Sequence, residues 1–258
     1  MYSDTGLQQD GGNMTKIVYW APIILGQNWP LVSELKHYEP ERLIKRINPI
    51  EFFGAASARC PAMVDELKNT FAIRSPLDLH IDYGKDFTNP ICYNKTYNPE
   101  LLSQAINPPN EHRVFQLSYA GVVFFCEESL TITQLHPYYE ENSYTDNVMV
   151  VSASMDISSW IRPVQPGFKF RSNKHLLNIK EGDVVGYYKF NTTDNIVLKR
   201  FDAKGLYNDS SSVLQNCLAL KEWKPVTHTY SLKACYEAFT RARYQKKLMK
   251  YINENLLD

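Results

Sequence analysis

Ile179-Lys180-Glu181-Gly182-Asp183-Val184-Val185-Gly186-Tyr187-Tyr188-Lys189-Phe190 reads as one strand entering a tight turn and an apolar strand leaving it. Gly182 is the residue the turn needs if its backbone takes a positive φ. Working outward, the middle of the chain keeps this short-strand rhythm: Val114 to Tyr119, Val122 to Cys126, Ser129 to Gln134, Asn147 to Asp156, Phe168 to Arg171, Leu176 to Ile179, Val184 to Phe190 and Ile196 to Phe201. Turns rich in Gly, Pro, Asn or Asp separate them, the pattern of an antiparallel sandwich or jelly-roll-like sheet. Before this region, Ile17-Val18-Tyr19-Trp20 predicts a strand stopped by Pro22.

Helical signals flank the strands. Pro30 to His37, Pro40 to Ile47 and Pro61 to Thr70 each carry Pro in the first turn, where a missing N–H costs nothing; Glu100 to Ile106 is a further short candidate. Thr229 or Ser231 can cap a long last helix reaching about Asn255, with Leu232, Cys235, Phe239, Ala242, Met249 and Ile252 on the face that docks on the sheet. The expected fold is therefore α+β and β-dominated, with short N-terminal helices and a long C-terminal helix packed on the sheet. Residues 1–13 are polar and contain Gly11-Gly12, which predicts a tail before one globular domain spanning 14–258.

The 17 Tyr and 12 Phe supply enough apolar surface for a substantial core, and so exclude a chain disordered throughout. Twenty-eight Lys and Arg balance 28 Asp and Glu, so no overall field draws the chain to nucleic acid or an anionic membrane. Five widely spaced cysteines without a CxxC pair read as free thiols in a reducing compartment. The first residues lack the pattern of a secretory signal, and the longest apolar run, Val122 to Cys126, is too short to span a bilayer. The expectation is an intracellular chain with no membrane association.

His80-Ile81-Asp82 is the sharpest metal-like pattern. Alternate strand residues share a side, so His80 and Asp82 can supply two ligands of a His/carboxylate/His iron site, with His136 or His228 as the third and Arg162, Arg171 or Arg241 for a 2-oxo acid carboxylate. A solvated surface strand explains the same three letters. His136-Pro137-Tyr138-Tyr139-Glu140-Glu141-Asn142 with Asp146 suits a divalent cation or a sugar, or is a polar loop between strands. A small-ligand pocket lined by Trp160, Arg162, Tyr187 and Tyr188 is a third possibility. Lys233, Arg241, Arg243, Lys246, Lys247 and Lys250 concentrate positive charge on the last helix; they fit an anionic partner, or form a solvated face without the interleaved aromatics that nucleic-acid binding needs. Glu127 and Glu128 beside Cys126 should raise its thiol pKa and keep it unreactive. Neither a nucleotide cradle nor a nucleophile elbow occurs.

Several segments together resemble an uncharacterised protein family of T4-like phages, especially those of cyanobacteria. They are Ile17 to Pro22, Cys60-Pro61-Ala62, Lys68 to Phe71, Ser75 to Asp78, Leu135 to Tyr138, Trp160 to Pro163 and Ile179 to Phe190, covering about Thr15 to Phe201. The resemblance implies a phage setting, either in the host cytoplasm during infection or in the particle, and transfers no catalytic residue and no cofactor. The expected function is binding without catalysis, as a virion or assembly component or a host-directed factor. The expected partner is a protein of phage or host, or a second copy.

Overall fold

The computed structural model describes residues 14–23, 37–48, 50–51, 54, 60–85, 91–93, 114–116, 121–159, 161, 163–164, 167–203 and 244–257. The 1–13 segment, the 100–106 candidate, nearly all of the 30–37 candidate and residues 229–243 of the last expected helix lie outside them, as do Trp160, Arg162, His228, Lys233, Arg241 and Arg243.

Strand dominates. The first sheet has the order β11-β7-β1-β15, where β1 is Thr15–Ile23, β7 Gly121–Phe125, β11 Pro163–Val164 and β15 Asn195–Arg200. The second runs β10-β8-β14-β3-β2, with β2 Glu41–Arg42, β3 Thr70–Arg74, β8 Thr131–Leu135, β10 Ala153–Asp156 and β14 Val184–Phe190. Two three-stranded sheets complete it: β6 (Val114–Gln116), β12 (Gly167–Phe170) and β9 (Val148–Val150) in the order β6-β12-β9, and β13 (Leu176–Ile179), β4 (Leu79–Asp82) and β5 (Ile91–Tyr93) in the order β13-β4-β5. Among the described residues pairing is antiparallel except between β1 and β15, which run parallel from Thr15↔Asn195 to Trp20↔Arg200.

Side-chain alternation sets the layers. On β1, Val18 and Trp20 enter the central core, whereas Tyr19 and Ala21 enter a second cluster; on β7, Val122 and Phe124 divide from Val123 and Phe125 in the same way. Both strands are covered on both faces, which is why they read as unbroken apolar runs rather than alternating ones. The second cluster is closed by helix α4 (Tyr244–Glu254) through Leu248 and Ile252. On the second sheet, Phe71, Tyr188 and Phe190 face the central core, while Ala72 and Tyr187 meet Leu43 and Ile47 beside helix α1 (Leu43–Arg46) and Leu67 of α2 (Pro61–Lys68). The central core is an aromatic lattice: Phe124–Phe190 and Phe71–Phe190 centroids are 5.4 Å apart, edge to face.

A bulge explains a parity change in β14. Val184 and Tyr187 share one face although they stand three positions apart, because the register with β3 shifts between Val184 and Gly186. Gly182 stands at φ 87° in the turn, as its type and position led us to expect.

Two local expectations are corrected. Glu41 and Arg42 extend as β2 along β3 instead of opening a helix, so α1 begins only at Leu43. The expected strand from Asn147 to Asp156 is two strands in different sheets, β9 on β12 and β10 on β8, preceded by helix α3 (Ser143–Asn147). Asn142 caps α3 by accepting from the Tyr144 and Thr145 backbone, both at 3.0 Å, and Thr145 Oγ1 accepts from Asn142 N in return. The described part of the last helix is the 11 residues of α4.

Candidate functional site

The solvent face of β13-β4-β5 gathers the residues first singled out on β4. Leu79, Ile81, Leu177 and Ile179 point into the central core, so His80 and Asp82 point outward, as does the row opposite them. In one row Asn178, His80 and Tyr93 are in register; in the next, Leu176, Asp82 and Ile91. Ile91 and Tyr93 are each 54% exposed and Leu176 38%. The His80 and Tyr93 rings meet edge to face at 5.5 Å.

Asp82 takes a partner that the sequence did not suggest. Its Oδ1 accepts from Gly84 N at 2.7 Å and lies 2.9 Å from His175 Nδ1, while Tyr83 N donates to His175 O at 3.0 Å. The Gly84 N–H and, after it, His175 hold the Asp82 carboxyl below its ordinary range. An ionised carboxylate only accepts, so Nδ1 carries the proton of this bond. This pair orients an imidazole. Its 93-residue separation left no local signal; only the register of β13 on β4 brings His175 to the end of the Asp82 row.

His136 lies elsewhere, half-buried after β8, with Nδ1 accepting the Val150 N–H at 3.2 Å. Burial, and then the Arg171 charge, lower its pKa. Among the described residues no three His, Cys, Asp or Glu side chains gather as a metal ion would require.

In the loop from His136 to Asn142, Glu140 is engaged internally. Glu140 receives both Arg46 Nε and Nη2 at 2.8 Å and the Tyr187 hydroxyl at 3.1 Å. The Tyr138 hydroxyl donates to Glu66 at 3.1 Å, and Lys189 reaches the same carboxylate. Tyr138, Tyr139 and Tyr187 stack edge to face around this network, with Tyr138–Tyr187 centroids at 5.4 Å. Burial, reinforced by Glu140 and Glu66 respectively, pushes the Tyr187 and Tyr138 hydroxyls well above the usual phenol range. Tyr187 and Tyr188, named together for one pocket, point to opposite faces of β14. On α4, Lys246, Lys247 and Lys250 are exposed; Lys247 lies over the Tyr244 ring at 5.5 Å and Lys250 is 3.9 Å from Glu254. The Cys126 thiol is buried and pushed up by that burial; a hydrogen bond from the Glu128 backbone opposes the rise, while the Glu128 and Glu127 charges add to it.

A groove of about 520 Å³ lies between two sheet edges, lined by Tyr38 to Arg42 and Lys45, by Phe71 and Arg74, and by Ile196 to Leu198. Arg42 crosses it, donating to Ile196 O and to Asn195 Oδ1 at 3.1 Å, its guanidinium 5.4 Å above the Phe71 ring. A second recess, about 490 Å³, borders Arg46, Glu51, Tyr139 and Glu140.

Compared with known protein families, with curated proteins and with solved structures, the chain matches none.

Proposed function

We propose that this protein acts by binding another protein through the solvent face of β13-β4-β5, as a phage particle or assembly component or as a factor directed at host machinery. One observation carries the reading: Ile91 and Tyr93 stand exposed two positions apart on the edge strand β5, and Leu176 is exposed across β4 from them, on a sheet whose other face is core. Exposed apolar side chains set among polar groups suit an interaction surface, and here His80 and Asp82 lie between Leu176 and the Ile91/Tyr93 pair, with Asn178 beside them. The phage setting follows from the resemblance of Thr15 to Phe201 and makes the host cytoplasm, or the particle, the place of action. For the fold, we read the two larger sheets as halves of a sandwich; the alternation of β1, β7, β3 and β14 between clusters supports this.

The rival reading, an iron enzyme built on His80 and Asp82, has to draw on a carboxylate that already accepts two hydrogen bonds. The experiment that tests the binding reading is gradient sedimentation of infected-cell extracts expressing the wild type or the Ile91→Lys/Tyr93→Lys variant. The wild type should travel with a particle or an assembly complex, and the variant, altered only on the solvent side, should stay at its own size. A wild type that sediments alone, or a variant that co-sediments equally, overturns this reading.

A further inference from the structure

We infer that the groove between β2 and β15 receives an extended acidic polypeptide segment, which pairs with the β15 edge at Leu198 and sets a carboxylate against Arg42 and Lys45. This surface is separate from the β13-β4-β5 face and stands independently of the reading given above.

The edge is available. Asn195 N donates to Met14 O and Phe201 N to Trp20 O, so residues 195, 197, 199 and 201 turn their N–H groups toward β1. By the two-residue period, Ile196, Leu198 and Arg200 turn theirs outward. Ile196 O is taken by Arg42 and Arg200 O by Leu257 N. Between them, Ile196 N–H and both backbone groups of Leu198 have no partner among the described residues. An unpaired edge of this kind is a template for an added strand. The open stretch is short, about 7 Å at the rise of a strand, so it seats only some three residues of a partner. A ladder that short is weak, which leaves charge to decide what binds.

The lining is net positive, with Arg42, Lys45 and Arg74 against Glu39 and Glu41. Among the described residues Arg42 bonds only uncharged oxygens: Ile196 O, Asn195 Oδ1 and, at 3.5 Å, Lys68 O. Burial alone acts on it and lowers its pKa, as expected of a cation that has lost water without gaining an anion. Lys45 stands exposed on the same wall. Glu39 and Glu41 also line the groove, but Glu41 is held by Arg74 and lies 3.6 Å from Arg46. A carboxylate entering beside Arg42 would meet a planar donor with room for a charge-assisted bond.

The test uses the full chain and four probes: an eight-residue blocked peptide alternating Val or Thr with Glu, its Glu→Gln counterpart, the same acidic peptide with a central Pro, and free glutarate. The acidic peptide should bind at least about tenfold tighter than the Gln and Pro peptides by fluorescence anisotropy, since a charge-assisted contact is worth about that factor. Binding should slow hydrogen exchange at the Leu198 amide. Arg42→Gln should erase the preference for Glu, and surface Lys45→Glu, which leaves the Ile196 contact intact, should weaken it. Absence of acidic-peptide binding, equal binding of the Gln peptide, an unchanged Leu198 amide, or displacement by glutarate at peptide-like concentrations each overturns the inference.

Discussion

His136 accepts the Val150 N–H through Nδ1, which requires a neutral ring. Its folded pKa is depressed, first by burial and then by Arg171. Between that folded value and the unfolded value near 6.5, the unfolded chain binds more protons, so stability falls as pH drops. The contribution is fully present above about pH 6.5 and is lost on acidification below it. Thermal melts at pH 7.5 and 5.5 should therefore show a larger drop in Tm for the wild type than for His136→Asn. Equal drops would mean that this imidazole is not linked to folding. Glu140 has a different weight, because it collects a bidentate Arg46 and the Tyr187 hydroxyl. Replacing it with Ala strands Arg46 in a partly buried site and removes the acceptor of a buried phenol. Urea unfolding should show a loss of about 2 kcal/mol, at the modest end for broken ion pairs because water still reaches Arg46. Tyr187→Phe, which deletes one hydroxyl and keeps the ion pair, should cost only about 1 kcal/mol.

The β13-to-β14 turn and the bulge that follows it separate two kinds of glycine. Gly182 sits at φ 87°, and a Cβ there would lie 3.6 Å from the Tyr38 hydroxyl, an ordinary contact. The penalty for a side chain is thus one of backbone strain, and Gly182→Ala should cost about 1–2 kcal/mol, with Asn better tolerated. Gly186 has no positive φ, and its added Cβ would stand 3.7 Å from Tyr188 Cε2 and 3.8 Å from Leu135 O. Gly186→Ala should then be neutral or stabilising by up to about 1 kcal/mol, because it restricts the unfolded chain. Equal losses for the two variants in urea melts would contradict this assignment. This turn was legible in the sequence because Lys-Glu-Gly-Asp is a local signal, although the strands it joins enter different sheets; so were β7, β13 and β15, whose apolar runs end at turn residues. Glu41-Arg42 was not, since its pairing with β3 is a tertiary event that overrides a Pro-led helix start. Val148 to Asp156 looked continuous because both halves alternate, and only different pairing partners separate them. Among site residues, His80 and Asp82 shared a face as their spacing required, whereas His175 and Arg46 reached their carboxylates across 93 and 94 residues.

Taken whole, the molecule encloses β1 and β7 between two apolar layers, and the outer one depends on the chain's last residues. Leu248 and Ile252 of α4 are fully buried against Tyr19, Val123, Phe125 and Phe201, Asp202 N donates to Asn255 O, and Leu256 bridges to Phe201. Among the described residues the inner layer forms a separate cluster. The aromatic lattice of Phe71, Phe124, Tyr188 and Phe190 is built from β3, β7 and β14. The two layers should therefore answer differently to injury. Leu248→Ala/Ile252→Ala removes two side chains each worth about 2–5 kcal/mol, less than additively because both belong to one cluster. Hydrogen exchange should then show amides of β15 and the outer half of β1 opening at lower free energy, with β8 and β14 keeping protection close to wild type. Phe190→Ala, in the shared lattice, should instead lower protection in every sheet together. If the α4 variant loosens β14 as much as β1, the two clusters unfold as one unit, and the outer layer is part of the core rather than a cover on it.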